Sequence, residues 1–157
     1  MAKPWDEAMK KLIDANPQQF LDWIARGATF LHFEPTELAK PTEEEEPLRA
    51  DRYLAVELDG KQGVIHVEIQ SGPDPRMDDR LLGYNYRFTR NDPLHRVVHS
   101  IVIYLRPVSN PPQPPLVRIF ITGRQTIRFD YDSIELAEVE AETLLNLDCL
   151  VCCRSCP

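Results

Sequence analysis

A chain of 157 residues is long enough for one hydrophobic core and does not require a second. Its 43% hydrophobic and 27% charged residues are ordinary globular composition, and no apolar run approaches the roughly 20 residues that a membrane-spanning helix needs. The net charge of −7 counts against nucleic-acid binding, since a protein that holds phosphates usually carries a basic footprint. Charge location matters more than the sum, however. The run Glu43-Glu44-Glu45-Glu46, between Pro41 and Pro47, reads as a solvated loop, and an acidic metal site would account for further carboxylates. The start, Met1-Ala2-Lys3-Pro4-Trp5-Asp6, has no apolar signal-peptide core, so the expected location is cytoplasmic.

Trp5, Ala8, Met9, Leu12 and Ile13 recur at helical spacing and predict a first helix over 5–14. Asn16-Pro17 reads as an N-cap followed by proline at the first helical position, with Gln19 placed for a capping box. Phe20, Leu21, Trp23 and Ile24 carry a second helix toward Gly27, a C-terminal stop. Residues 29–34 suit a short first strand. Over 52–70, Leu54, Val56 and Leu58 alternate with polar residues, Asp59-Gly60-Lys61-Gln62 forms a tight turn, and Ile65, Val67 and Ile69 alternate again. This is a hairpin pattern.

With Gly60-Lys61 as the loop, Leu54 opposes Val67, Val56 opposes Ile65, and all the apolar residues share one face. A slip of one residue would split them between faces, so burial selects against it. The same register sets Asp51 opposite Gln70 and Tyr53 opposite Glu68, with His66 on that side. Neighbouring strands lie about 4.8 Å apart, which brings the two carboxylates within reach of one cation. Residues 75–90 predict a helix with Met77, Leu81, Tyr84 and Phe88 as its apolar stripe, and Arg76, Arg80, Arg87 and Arg90 beside it. An apolar, β-branched strand follows over 97–105, then a proline-rich exposed loop over 106–115. Further strands are expected over 117–122 and 126–131, and a final helix over 133–146.

This order of elements resembles the αβββαβ core of the PD-(D/E)XK nucleases, an α/β (α+β) restriction-endonuclease-like fold whose central mixed sheet is flanked by helices. Several stretches look like its recombination-promoting nuclease and transposase-like (Rpn) branch. They are Pro4-Trp5-Asp6, Arg49-Ala50-Asp51-Arg52, His66-Val67-Glu68-Ile69-Gln70-Ser71, Arg80-Leu81-Leu82-Gly83-Tyr84-Asn85 and Val102-Ile103-Tyr104-Leu105-Arg106-Pro107. The resemblance covers roughly residues 4–146 and implies one nuclease-like domain over 1–147.

By that resemblance the chain is a metal-dependent DNA endonuclease associated with recombination and mobile elements. DNA is its partner, no membrane is involved, and a homodimer is compatible with the pattern. The implied catalytic group is Asp51, Glu68 and Gln70. Asp51, Glu68 and the backbone carbonyl of Ile69 are the implied ligands of Mg²⁺, and Mn²⁺ suits the same oxygen donors. Such an ion activates water and stabilises charge on the phosphoryl oxygens. Gln70 stands where many superfamily members carry lysine, so positive charge must come from elsewhere. Arg76, Arg80 and Arg87 are the phosphate- and DNA-binding candidates, and Asp6 or Glu7 on the first helix is the candidate assisting acid.

Each of these residues also has a plain structural reading. A chain with 25 acidic residues sets Asp and Glu on neighbouring strands by chance. The alternative function is therefore an inactive relative of the nuclease fold, serving as a binding module or left as a truncated remnant. The arginine stripe reads equally as an exposed face paired with local acids. His66 suits a packed or solvent-facing strand position, and Trp5, Trp23, Tyr84 and Phe88 suit the core. In the tail over 148–157, Cys149, Cys152, Cys153 and Cys156 have zinc-like spacing but no second knuckle. Codons for that tail admit a neighbouring frame that is apolar and proline-punctuated, so a frameshifted or truncated end is the expectation there.

Overall fold

The structure is a computed structural model that describes residues 4–38, 49–140 and 142. The Glu43–Glu46 run and the cysteine tail lie outside the described residues.

Helix α1 (Pro4–Ala15) carries Pro4, Asp6 and Glu7 in its first turn, where a missing N–H costs nothing and negative charge suits the helix dipole, and it buries Met9 and Ile13. Helix α2 (Pro17–Ile24) follows at once and buries Phe20 and Leu21. Asn16 occupies its N-cap, but the side chain makes no capping bond, and the expected capping box does not form. Gln18 is the useful amide instead. Its Nε2 donates to the carbonyl of Ala28 and its Oε1 accepts from the N–H of Phe30, tying α2 to the strand that follows.

Strands β1 (Thr29–Glu34), β2 (Arg52–Leu58) and β3 (Lys61–Gln70) form an antiparallel meander. Helix α3 (Met77–Asn91) then crosses over to β4 (Val97–Tyr104), which lies parallel to β3, as a parallel neighbour requires. A separate hairpin, β5 (Leu116–Ile119) and β6 (Gln125–Phe129), precedes β7 (Asp132–Glu135), and β7 returns to pair in parallel with β4. The result is a mixed α/β protein with a five-stranded mixed sheet of order β1-β2-β3-β4-β7.

The sheet is buried on both faces. On one, Leu54, Val56, Ile65, Val67, Ile69, Ile101 and Ile103 pack with Met9, Ile13, Phe20 and Leu21 of α1 and α2. On the other, Tyr84 and Phe88 of α3 meet Tyr53, Val64 and Val98, while Met77 and Leu81 meet Val102 and Tyr104. The predicted stripe of α3 is its buried stripe. Each such side chain contributes about 1.5–3 kcal/mol.

Three further expectations need correction. The hairpin register is displaced by two residues: Leu54 faces Ile65, Tyr53 faces His66 and Arg52 faces Val67. The cause is the turn. Asp59 and Gly60 both have positive φ, 52° and 73°, the backbone of a type I′ turn, which Asp-Gly adopts far more readily than Gly-Lys. Because strand faces alternate with period two, the displacement leaves every side chain on its expected face. The final helix does not form over 133–138: β7 and a 3₁₀ turn (Leu136–Glu138) stand there. β4 is buried on both faces and needs a neighbour at each edge, and four ladder pairs with β7 outweigh helix propensities that differ by only tenths of a kcal/mol per residue. The remainder of that expected helix, beyond 142, lies outside the described residues. Trp5 is not core. It stands 62% exposed beside an apolar cleft of about 550 Å³ formed with Met9, Leu12, Leu105 and Leu136, because the first turn of α1 overhangs the end of the sheet. Trp23, by contrast, packs edge-on to Phe20 at the margin of the core, as expected.

Beyond the C-terminus of α3, Asp92 and Arg96 form a bidentate pair at 2.8 and 2.9 Å, and Arg96 also reaches Glu34 of β1 at 2.7 Å. The hydrogen bonds from Arg96 hold the Asp92 carboxyl down at about 2, against an ordinary 3.8.

Two predictions follow from these contacts. Gly60→Ala meets no neighbouring atom and forces alanine to positive φ, so urea unfolding should report a loss of about 1–2 kcal/mol. A loss near zero would mean the turn is not type I′. Asp92→Asn should cost about 2 kcal/mol at neutral pH, because Arg96 loses its bidentate carboxylate and keeps only Glu34 as counter-charge. A depressed carboxyl stabilises the fold above its ordinary value and loses that effect as pH falls through its folded one. The gap between wild type and variant should therefore close between about pH 4 and pH 2 in acid titrations of stability.

Candidate functional site

Glu68 is the fixed point of the site. It lies on β3, between β2 and β4, with its side chain toward α3, and that side chain is only 2% exposed. A carboxylate so buried must have its oxygens satisfied. Oε1 accepts from the Asp51 backbone N–H at 3.1 Å and lies 3.2 Å from His66 Nε2; Oε2 accepts from the Arg80 guanidinium at 3.1 Å. The imidazole is oriented in turn. Asn85 Nδ2 donates to Ser100 Oγ, and Ser100 Oγ lies 3.2 Å from His66 Nδ1. If Ser100 donates to Nδ1 and Nε2–H donates to Glu68, a neutral imidazole satisfies every member of the chain. Tyr53 stacks on His66 at 4.8 Å and closes it from solvent. Burial, then the charge of Glu68, raises the phenol of Tyr53 well above its ordinary value.

Asp51 sits one residue before β2, so the hairpin ladder extended by one step sets it across from Glu68 rather than from Gln70. Its Oδ2 accepts from the Ile69 N–H at 2.8 Å, and its Oδ1 lies 2.7 Å from Lys10 Nζ of α1. Unlike Glu68 it is 19% exposed, and it opens into a polar cleft of about 330 Å³ shared with Glu7, Lys10, Glu37, Arg49 and Arg52. Burial works against the Lys10 ammonium, but the hydrogen bond and attraction of Asp51, helped by Glu7, outweigh it and raise the pKa. Lys10 stays charged at neutral pH.

The other candidates divide. Gln70 closes β3, half-buried, beside Tyr104 of β4, and its carbonyl accepts from the Leu105 N–H. Arg80 belongs to the site: 40% exposed, it bridges Glu68 and Asp74 and lies 6.0 Å from the Tyr84 ring. Burial opposes the Asp74 charge, but the bonds from Arg80 and from the Arg76 backbone prevail and lower its pKa. Arg76 is exposed at the N-cap of α3, with a backbone N–H on Asp74. Arg87 is half-buried, two turns beyond Arg80 on the same helix. Glu7 pairs with Lys10 at 3.5 Å, and Asp6 accepts a long 3.5 Å bond from Ser71, the residue after Gln70.

Lys10, Ser100 and Asn85 are the members that sequence reasoning missed. Lys10 had a signal, one turn beyond the flagged Asp6 and Glu7 on the same helix. Ser100 had none, being one polar residue inside an apolar strand.

Among the described residues no group of three or more His, Cys, Asp or Glu side chains converges as a metal site. Asp51 and Glu68 supply two carboxylates, and a hard cation that keeps several waters can be held by one or two. Asp51 is accessible for this. Glu68 becomes a donor only where Arg80 gives up Oε2. Compared with known proteins, the chain matches no family model, no curated protein and no solved structure.

Removing Arg80 strands the buried Glu68 charge. Arg80→Ala should lower stability by about 3 kcal/mol, and adding Glu68→Gln should restore at least roughly half of that loss, since the amide needs no counter-charge. A double variant no more stable than Arg80→Ala would show that packing of the arginine stem, not charge, is what the protein loses.

Proposed function

We propose that this chain has a restriction-endonuclease-like αβββαβ core and acts as a metal-dependent DNA endonuclease centred on Asp51 and Glu68. The observation that carries this reading is the placing of two carboxylates across adjacent strands, with the second turn of α1 and the first turn of α3 bringing Lys10 and Arg80 to them. The order of helix, three antiparallel strands, crossover helix and parallel strand supports the finer fold assignment.

Asp51, Glu68 and the Ile69 carbonyl would hold a Mg²⁺ or Mn²⁺ ion, which supplies an activated water and stabilises phosphoryl charge. The chain's own residues do the rest. Lys10 supplies the positive charge that position 70 lacks, and its raised pKa keeps that charge in place. Gln70 orients water through its amide. Arg80 is exposed enough to exchange Glu68 for a phosphate oxygen, and Arg76 stands beside it at the helix start.

A second reading has its own observation. Both Glu68 oxygens are already engaged, by the Asp51 N–H, His66 and Arg80, which suits a fold that keeps the pair as internal structure and works as a binding module.

Supercoiled plasmid incubated with Mg²⁺ or Mn²⁺ separates the two. Wild type should nick it, and Asp51→Asn and Glu68→Gln should each abolish nicking while remaining folded. Lys10→Met should cut the rate about 10²-fold, the scale of losing one preorganised electrostatic contact. A folded wild type that leaves plasmid intact with both ions would transfer the conclusion to the binding module.

A further inference from the structure

The β5–β6 hairpin stands apart from the main sheet, and the fold leaves its apolar tip uncovered. Phe120 donates its N–H to the Arg124 carbonyl, Gly123 donates to the Phe120 carbonyl, and Gly123 has φ +82°. These are the marks of a three-residue loop in which a tight turn is followed by a left-handed glycine. Such a loop holds its first residue outward, and Ile121 is 92% exposed, with Ile119 and Phe120 exposed beside it. Four of the ten large apolar side chains exposed among the described residues lie in this one hairpin, which single scattered exposures do not explain.

The base is anchored and the tip is free. Phe129 packs against the Met77, Leu81, Val102 and Tyr104 cluster and stacks on Tyr131, whose hydroxyl donates to the Pro112 carbonyl. Arg118 pairs with Asp79 of α3, next to Arg80. The arm therefore rises beside the first turns of α3, where Arg76 and Arg80 stand.

Its charge is equally distinctive. In a chain of net charge −7, residues 116–129 contain three arginines, Arg118, Arg124 and Arg128, and no aspartate or glutamate. Arg124, at the tip, pairs with no acid among the described residues, and the Arg118–Asp79 and Arg128–Asp130 pairs are exposed and worth at most about 1 kcal/mol each, so phosphate can displace them. Basic residues interleaved with exposed apolar ones, on a two-stranded ribbon narrow enough for a nucleic-acid groove, complement a duplex.

We infer that the Leu116–Phe129 hairpin is a duplex-DNA-binding arm, with Arg124, Arg118 and Arg128 taking backbone phosphates and Phe120 and Ile121 entering a groove against the bases. This rests on the proposed reading of the chain as a protein that acts on DNA. Apolar wedges of this kind unstack a base step and bend the duplex, which opens the backbone to a nearby hydrolytic centre.

Binding is measured in EDTA, where no cleavage occurs, by fluorescence anisotropy of a short labelled duplex, together with 2-aminopurine emission from a duplex carrying that base. Wild type should bind and raise the emission. Phe120→Ser with Ile121→Ser should weaken binding at least about tenfold and abolish the rise, with the thermal unfolding midpoint unchanged. Arg124→Ala should weaken binding about threefold to tenfold and lower the slope of log affinity against log salt by about one. A wild type that does not bind duplex, or a tip variant that binds like wild type, overturns the inference. So does a tip variant that keeps duplex binding but loses association with phosphatidylserine vesicles or falls from dimer to monomer. Hairpin-dependent binding in EDTA without plasmid nicking in Mg²⁺ or Mn²⁺ upholds the arm and sinks only the nuclease.

Discussion

A carboxylate at 2% exposure in the middle of a sheet is the constraint on which this structure depends. Desolvating an isolated carboxylate costs several kcal/mol even after relaxation, so Glu68 can be charged there only if its neighbours are fixed in advance. They come from every side: a backbone N–H from the entry to β2, an imidazole from β3 itself, and a guanidinium from α3. The imidazole is useful only if Ser100 of β4 and Asn85 of α3 hold its other nitrogen. One buried charge thus ties the hairpin, the crossover helix and the parallel strand together. Breaking any of these ties strands a polar group away from water, so the network acts as a unit.

Asp51 answers to a different balance. It is accessible, its counter-charge is a flexible lysine, and its second oxygen is steered by one backbone N–H. Of the two carboxylates, one is committed to structure and the other is available to solvent and ligands. Any cation shared between them must draw Arg80 away from Glu68, and Arg80 keeps a second partner in Asp74 during the exchange. The arginine is therefore the element that sets how far the pair can act chemically.

The sequence made some of this legible and hid the rest for physical reasons. Alternation with period two marked which residues of 54–69 face α1 and α2, because a one-residue error would have split the apolar set between the two faces. It could not tell the register from one displaced by two residues, which keeps the faces and differs only in where the positive φ angles fall. The stripe of α3 was legible because four large side chains repeat at helical spacing. β7 was not: it is four residues long, has one apolar side chain, Ile134, and exists because β4 needs an edge partner. Lys10 was legible as a helix residue but not as a neighbour of Asp51, since that contact depends on how α1 packs on the sheet. The β5 and β6 strands were expected, yet nothing in their β-branched pattern said that they would leave the main sheet.

That last point bears on the charge of the molecule. A net charge of −7 argues against nucleic acid only if the acids are spread evenly, and they are not. Residues 93–129 hold none, while many of the acids elsewhere are engaged: Asp74 and Glu68 by Arg80, Asp92 and Glu34 by Arg96, Asp14 by Arg52. At a Debye length of about 8 Å under physiological salt, a polyanion reads the charges of the surface it approaches and little of the total. The hairpin carries Arg118, Arg124 and Arg128, and the first turn of α3 beside it sets Arg76 and Arg80 among Asp78 and Asp79, so the local balance there differs from the total. A total of −7 therefore says little about the potential over any one face, which is set by the few charges that lie within a Debye length of it.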